Sequence, residues 1–589
     1  MDAIAPRRSG APRPDTARAI REQAADQAYR RRHPHNMNNG EEAAYPSYIA
    51  NYTKGLPHDN IGEVRPWAYR ALLRALMSGD PADFEVIPLG VLDPPGQRQR
   101  CLINPQAGLK FTLEGPDAHA LMLPPAPRLD DAQTAADMAE LYWMAAWRDV
   151  RFADYSAATV GDAVASLTNE FTGYRGPAPL TPQTLFRGSQ PGCLAGPFVS
   201  QFLLKDVPFG SFRFVQRQQP PESGTDFLTD HPTWLNIQNG AQPNLAIPLE
   251  CAAGEPVRRH IITLRDLTNV VHFDVSYQHY LNACFILQHM RLPAEQLPAG
   301  PCATAVDGPS CMSGPLDLGI AYGPRIPGST GLDSRAQDGF ATFGNWHIPT
   351  LLAEVATRAL WAMWYQKWFV HRRLRPEELG GLLHIHLAGL PEVNAPDPYP
   401  HPEVPAGRYP MLHPEILDSL LGGDLSAHYG PGKRFTGYFL PQAFPEGSPL
   451  HPSYGEGHAV VAGACVTVLK AFYAGLYEFD PASPNPFDRP EVPNADGSAL
   501  VPYVAGAGVA PLTVEGELNK LASNIGLAGR GGAGVHFRSD NTDSLRLGEA
   551  VAIALLQEQM RTYNETRPDG SPPFFKVTTF DGPVVTITA

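Results

Sequence analysis

Residues 451–478 read HPSYGEGHAVVAGACVTVLKAFYAGLYE. Glycines at 455 and 457 punctuate the first eight residues as a turn. From Ala459 the segment becomes an apolar run long enough for several helical turns. A turn that feeds straight into a helix leaves the first backbone N–H groups without intrahelical partners. Those groups and the helix dipole together favour a bound anion. His458 stands at that start, where an imidazole can exchange a proton with whatever the amides hold. Lys470 breaks the apolar run before it reaches the ~18 residues of a membrane-spanning helix. The stretch reads as a buried helix of a large helical protein.

Outward from this point, apolar residues recur at three- and four-residue steps. They predict helices over 130–154, 157–172, 264–291, 350–374, 457–478, 514–528 and 541–563. Asp130 or Asp131 is the natural cap of the first. Between them, 173–262, 293–345, 388–450 and 479–513 are rich in proline and glycine. Connections of that length tend to cover functional sites. The last residues, FFKVTTFDGPVVTIT, predict a β-hairpin around Asp581-Gly582. The expected fold is mainly α: two helical bundles wrapped by long loops, with small β-hairpins including one at the C-terminus. Residues 1–45 read as an extended N-terminal arm with some helix. Residues 46–589 read as a single large helical domain whose active-site half spans about 340–589.

The chain has 43% hydrophobic and 18% charged residues, enough for a large core. A formal net charge of −14 argues against nonspecific binding to nucleic acid or to an anionic membrane, but says nothing against one local anion pocket. Arg7 and Arg8 have no apolar stretch behind them, so a soluble, cytoplasmic protein is expected. Seven cysteines make no CxxC pair and no metal spacing, and read mostly as free thiols. Cys302 and Cys311, in one Pro/Gly/Ser loop, are the two placed to pair.

Two more segments carry charge chemistry. In 367–376, KWFVHRRLRP, Lys367 and Arg375 are eight residues apart, about two turns, on nearly one face of a helix that Pro376 should stop. Arginine offers a planar fork to an oxyanion and lysine a point charge. The plainer reading is a solvated basic helix end. In 530–540, RGGAGVHFRSD, the glycines let backbone approach a ligand, and Asp540 is one helical turn from His536 and can orient its imidazole. Here the plainer reading is a flexible loop. His384 and His386 form an HxH pair with no evident third ligand and read as structural. Trp361, Trp364 and Trp368 lie at helical spacing and read as core, with Trp364 one turn before Lys367 and placed to face a pocket. Asp317 is a carboxylate available to orient a histidine from a distance.

Taken together, Lys367…Arg375-Pro376, Ser453…Gly457-His458 and Arg530…His536…Asp540 resemble the signature of the vanadium-dependent haloperoxidases and of the related type 2 phosphatidic acid phosphatase superfamily. The extra residue between lysine and arginine, and His451 seven residues before His458, are similar to the bromoperoxidase-like branch. So are YIANYTKGLPHDNIGEV (48–64), GPFVSQFLL (196–204), RDLTNVVHFD (265–274) and 342–368. The resemblance covers about residues 30–589. It implies vanadate as cofactor, with His536 bonded to the metal. Lys367, Arg375, Arg530 and the Gly457 amide would hold its oxygens. It implies His458 as the acid–base group, His451 as the residue tuning the halide side, and Asp540 and Trp364 in support. Hydrogen peroxide and a halide, bromide or chloride, would be co-substrates, and a small electron-rich organic molecule would be halogenated. A homo-oligomer, dimer or larger, is implied.

One position departs from the family pattern. Glu456 stands where a serine is usual, and Gly455 replaces a proline. An ionised Glu456 repels an oxyanion unless a cation intervenes, its acid form persists, or the turn aims it outward against Arg375. This leaves two alternatives open: a vanadate-inhibited, acid phosphatase-like phosphomonoesterase with His536 as nucleophile, and a non-halogenating relative altered by Glu456.

Overall fold

The helix Gly457–Phe472 buries every residue from Ala459 onward. A helix apolar on all sides belongs inside a protein, and this one lies against the helices His347–Tyr365 and Arg538–Met560. Its crossing with Arg538–Met560 is close. A Cβ on Gly463 would stand 2.1 Å from the Leu545 carbonyl oxygen, and one on Gly548 2.1 Å from that of Val460. Only glycine permits that approach. Lys470 is buried too: its Nζ donates to the Thr578 carbonyl at 3.0 Å and sits 4.3 Å from the Phe580 ring centre. The charge that interrupts the apolar run thus ties the helix to the C-terminal hairpin.

The computed structural model describes residues 12–92, 95–290, 339–390, 405–506, 510–567 and 570–588. Asp317, Cys302 and Cys311 lie outside them. Among the described residues the fold is mainly helical. A second group, Ala132–Ala146, Ala157–Asn169 and Pro414–Leu421, packs together and is tied to the central helix Arg538–Met560, where Arg538 donates to Glu140 and Ser539 to Asp137. Asp131 caps the first of these, accepting from the Gln133 amide. The described strands form two-stranded antiparallel hairpins: 207–209 with 212–214, 251–252 with 255–256, 491–493 with 500–502, and 575–578 with 584–587. The last turns at Asp581-Gly582, as expected. Near the N-terminus, the helix Arg13–Arg30 buries none of its residues. Among the described residues, no helix is long and apolar enough to cross a membrane.

Several expected helices end early. The span 264–291 splits into Leu264–Val270 and Gln278–His289, and Asp274 in the segment between them contacts His458. The span 350–374 becomes His347–Tyr365 followed by a π-turn, Gln366–His371, and a left-handed Arg372 with φ 44°. Pro376 does not stop that helix. It is the first residue of another, Pro376–Ala388, a position where its missing N–H costs nothing. The span 457–478 stops at Phe472, and 514–528 becomes Val514–Ser523 plus a π-turn, Asn524–Gly531. The short helices His231–Gln238 and Pro414–Leu421 fall inside stretches read as coil.

Candidate active site

Arg375 is the hub. It is 0% exposed. Its Nε donates to the His451 carbonyl and one terminal nitrogen to that of Val535, each at 2.8 Å. The same terminal nitrogen lies 2.9 Å from His536 Nε2, and the other lies 2.8 Å from His451 Nδ1. Lys367, also 0% exposed, donates through Nζ to the carbonyls of Pro452 at 2.6 Å and Ser453 at 3.1 Å. Both cations therefore converge on the 451–453 turn. They do not do so as two turns of one helix, because the left-handed Arg372 redirects the chain between them. Glu378 accepts from the Arg375 backbone amide and fixes that redirection. Burial pulls the Lys367 ammonium well below its ordinary pKa, and the Arg375 charge adds to this. Burial lowers Arg375 itself to about 10. The solvated-helix-end reading of this segment does not hold.

His536 is 2% exposed, and both ring nitrogens are engaged. Arg375 can only donate, so Nε2 is an acceptor and the ring proton sits on Nδ1. Asp540 Oδ2 accepts a hydrogen bond from that N–H at 3.0 Å. The same carboxylate accepts from the Phe537 amide at 3.1 Å, from Arg373 at 3.0 Å and from the Ser453 hydroxyl. Asp540 thus caps the helix Arg538–Met560, while His536 lies just before it, so the pair is not one turn of a helix. Burial, then Arg375, Lys367 and Arg530, hold the imidazole pKa well below its usual value. The ring is neutral and turns its Nε2 lone pair toward Arg375.

Arg530 comes from the π-turn Asn524–Gly531. One terminal nitrogen donates to the Val271 carbonyl at 3.3 Å, its Nε is buried without a partner, and the guanidinium lies 5.9 Å from the Phe444 ring centre. Gly457 opens the central helix. Beyond its own helix and chain neighbours, nothing lies within 3.7 Å of where a Cβ would stand, the nearest atom belonging to Trp364. Glu456 is 0% exposed, so the turn does not aim it outward. Its Oε2 accepts from Asn541 at 3.3 Å and its Oε1 has no partner. Burial pushes its carboxyl up to about 7, against the pull of Arg530 and the Asn541 hydrogen bond.

His458 is held differently. Its Nε2 lies 2.9 Å from Asp274 Oδ1, and 19% of its side chain is open. The second Asp274 oxygen is 3.2 Å from His279 Nε2, close but not aligned as a hydrogen bond. Burial lowers the His458 pKa and the Asp274 carboxylate opposes it. His451 is neutral, its pKa driven well down by burial, Lys367 and Arg375. Its ring lies 5.0 Å from that of Trp364, whose Nε1 donates to the Ile103 carbonyl at 3.1 Å.

Sequence reasoning brought forward Lys367, Arg375, His451, Glu456, Gly457, His458, Arg530, His536, Asp540 and Trp364, and these lie around one buried centre. It missed Asp274 and Arg373, and gave Ser453 no role. Asp274 meets His458 across 184 residues, so no local spacing announces it. The 48–64 stretch also gains a place: Lys54 donates to the Ser448 carbonyl at 2.8 Å and the Glu446 carbonyl at 3.0 Å, which holds the approach to His451. His384 and His386 each accept from a backbone amide, those of Tyr438 and Tyr409. Trp368 is core against Tyr52. Among the described residues no cluster of His, Cys, Asp or Glu could hold a bare cation. Three cations facing one neutral imidazole form a donor set for an oxyanion.

No family model matches the chain. A vanadium-dependent bromoperoxidase of Corallina officinalis is 34% identical over 94% of this chain and 94% of its own length. One of Ascophyllum nodosum is 33% identical over 90% of this chain and 85% of its own. The solved homohexameric structure of the second vanadate-dependent bromoperoxidase of A. nodosum superposes with a TM-score of 0.78 at 29% identity, covering 99% of this chain and 94% of that one. With a shared fold and identity above 30% along nearly its whole length, the chain belongs to the vanadium-dependent bromoperoxidases.

Proposed function

We propose that this protein is a vanadate-dependent haloperoxidase that oxidises bromide with hydrogen peroxide and halogenates small electron-rich organic molecules. The observation that carries the reading is the His536 ring: neutral, its Nδ1–H donated to Asp540, its Nε2 lone pair turned to Arg375, with the charges of Lys367 and Arg530 also close enough to lower its pKa. The pocket fits vanadate. Lys367, Arg375 and Arg530 have no carboxylate within ion-pairing distance among the described residues, and Arg530 Nε is unpartnered. Asp540, the nearby carboxylate, is already neutralised by Arg373. A unit charge pair at 4 Å is worth about 4 kcal/mol at a surface-like effective dielectric, so three cations outweigh one Glu456 even when it is ionised.

Bound vanadate supplies a Lewis acid that makes hydrogen peroxide electrophilic toward halide. Lys367, Arg375, Arg530 and the Gly457 amide would hold its oxygens, and His536 would be its protein ligand. His458, neutral and open to solvent, takes a proton from the incoming peroxide at its free ring nitrogen while Asp274 holds the other. His451 and Trp364 close the halide side and keep it poor in water. The five cysteines among the described residues are free, which suits a reducing cytoplasm. A homo-oligomer is the expected assembly, because the A. nodosum relative is a homohexamer.

The test is bromination of a phenolic dye by the purified protein with peroxide and bromide, with and without added orthovanadate. Turnover that rises with vanadate and saturates at one equivalent per chain is expected. Equal rates with and without vanadate, after metal removal, refute the proposal.

A further inference from the structure

We propose that His272 is a positioning residue for Arg530: it fixes both supports of that guanidinium and so holds it ready for an oxyanion. The inference rests on the haloperoxidase reading and deepens it by naming what presents the third cation. The three cations are held unequally. Arg375 donates to two carbonyls and meets two imidazoles, and Lys367 donates to two carbonyls. Among the described residues the Arg530 head has one hydrogen bond, to the Val271 carbonyl at 3.3 Å, and one aromatic contact, over the Phe444 ring at 5.9 Å. A long hydrogen bond and a cation–π contact near its outer limit are weak restraints on a flexible side chain. Arg530 keeps its place only if both supports keep theirs.

Both supports run through His272. Val271 is its neighbour in the chain. Phe444 is its stacking partner: the two rings are parallel to within 8°, with centres 3.9 Å apart. The imidazole is pinned in that plane by Glu446, whose Oε1 lies 2.6 Å from His272 Nε2. Glu446 is fixed in turn, because its carbonyl accepts from Lys54 and from Arg100, each at 3.0 Å. The backbone side is equally close-set. A Cβ on Gly529, the residue before Arg530, would stand 2.8 Å from a Val271 methyl group. The π-turn that delivers Arg530 is therefore seated on Val271.

Phe444 is thus a shared plate, with His272 stacked on it and Arg530 lying over it. The His272 side chain is 15% open and that of Glu446 22%, so replacing His272 leaves Glu446 in reach of water and strands no fully buried charge. What His272 supplies is preorganisation. A cation already aimed at the oxyanion loses less side-chain freedom when the anion arrives, and binds it more tightly for that reason.

The experiment measures oxyanion affinity of the full-length protein by calorimetry, with orthovanadate and inorganic phosphate as probes. His272→Gln keeps a donor for Glu446 and loses the ring face, and should weaken both about five- to tenfold, the worth of one aromatic contact. His272→Phe keeps the face and loses the donor, and should bind within about twofold of the unaltered protein. Phe444→Leu removes the shared plate itself. It should match His272→Gln and add nothing to it. The decisive arm repeats His272→Gln in an Arg530→Met background. There it should change affinity by less than about twofold, because the residue it positions is gone. An equal loss with and without Arg530 overturns the proposal, since a general loosening of the fold weakens both alike. Unchanged affinity in His272→Gln overturns it too, as does a His272→Phe protein that binds as weakly as His272→Gln. Phosphate binding with this dependence on His272, in a protein that shows no vanadate-dependent bromide oxidation, refutes the haloperoxidase reading and leaves the positioning role standing.

Discussion

His536 and His458 belong to one centre and are held in opposite ways. His536 is 2% exposed, with Asp540 on one nitrogen and Arg375 on the other. Asp540 is itself anchored by Arg373, Ser453 and a backbone amide. His458 has 19% of its side chain open and is anchored through Nε2 alone. Its neighbours Arg530 and Glu456 each keep a buried atom without a partner. A ligand to a metal gains from a fully bonded shell, which fixes tautomer and direction. A proton shuttle needs a nitrogen left free and a path to solvent. In the proposed mechanism the site separates holding from reacting, and each side can be broken by itself.

The largest effect should come from the reacting side. His458→Ala should lower kcat by ~10²–10⁴ while the protein still retains vanadate, measured by steady-state kinetics beside metal analysis. Equal loss of vanadium and of turnover would erase the distinction. On the holding side, Asp540→Asn should weaken vanadate retention after dialysis by ~10–100-fold, the usual cost of losing an outer-shell partner. It should also destabilise the fold by roughly 3–5 kcal/mol, because it strands the buried Arg373. A chemical-denaturation midpoint measures the second effect.

Asp274→Asn should cost about tenfold in kcat, since the carboxylate orients His458. It should also move the pH profile. Asp274 raises the His458 pKa against burial, so its removal lets that pKa fall, and the acid limb set by protonated His458 moves to lower pH. An acid limb that stays in place would place the working proton elsewhere. The smallest effect belongs to Glu456→Ser, which should tighten vanadate binding by a few fold. With the Glu456 carboxyl near pH 7 in the folded protein, the gain should be full above that pH, where the native residue is an anion, and fade below it, where it is neutral. Vanadate titrations at two pH values check the sign.

The helical fold was legible because the long apolar helices, above all the one after His458, carry their own periodicity. The C-terminal hairpin was legible from Asp581-Gly582. What periodicity cannot see is where a helix yields to the site. The left-handed Arg372, the π-turns that deliver Lys367 and Arg530, and the break at 271–277 are tied to partners far along the chain. The four-residue spacing singled out His536 with Asp540, but the pair forms across the start of a helix and not as one of its turns. Spacing could not single out Asp274, because what gives it meaning is an imidazole 184 residues away. Glu456 was visible as a departure from the family pattern, but its burial was not, since a glycine-flanked turn is compatible with either direction.

The most direct measurement is a crystal structure of the protein soaked in orthovanadate. The account predicts one oxyanion density of four or five ligands continuous with His536 Nε2, Arg375 displaced from that nitrogen, and Arg530 turned onto an oxygen. Full vanadate occupancy at any position that leaves His536 bonded only to Arg375 and Asp540 would contradict it.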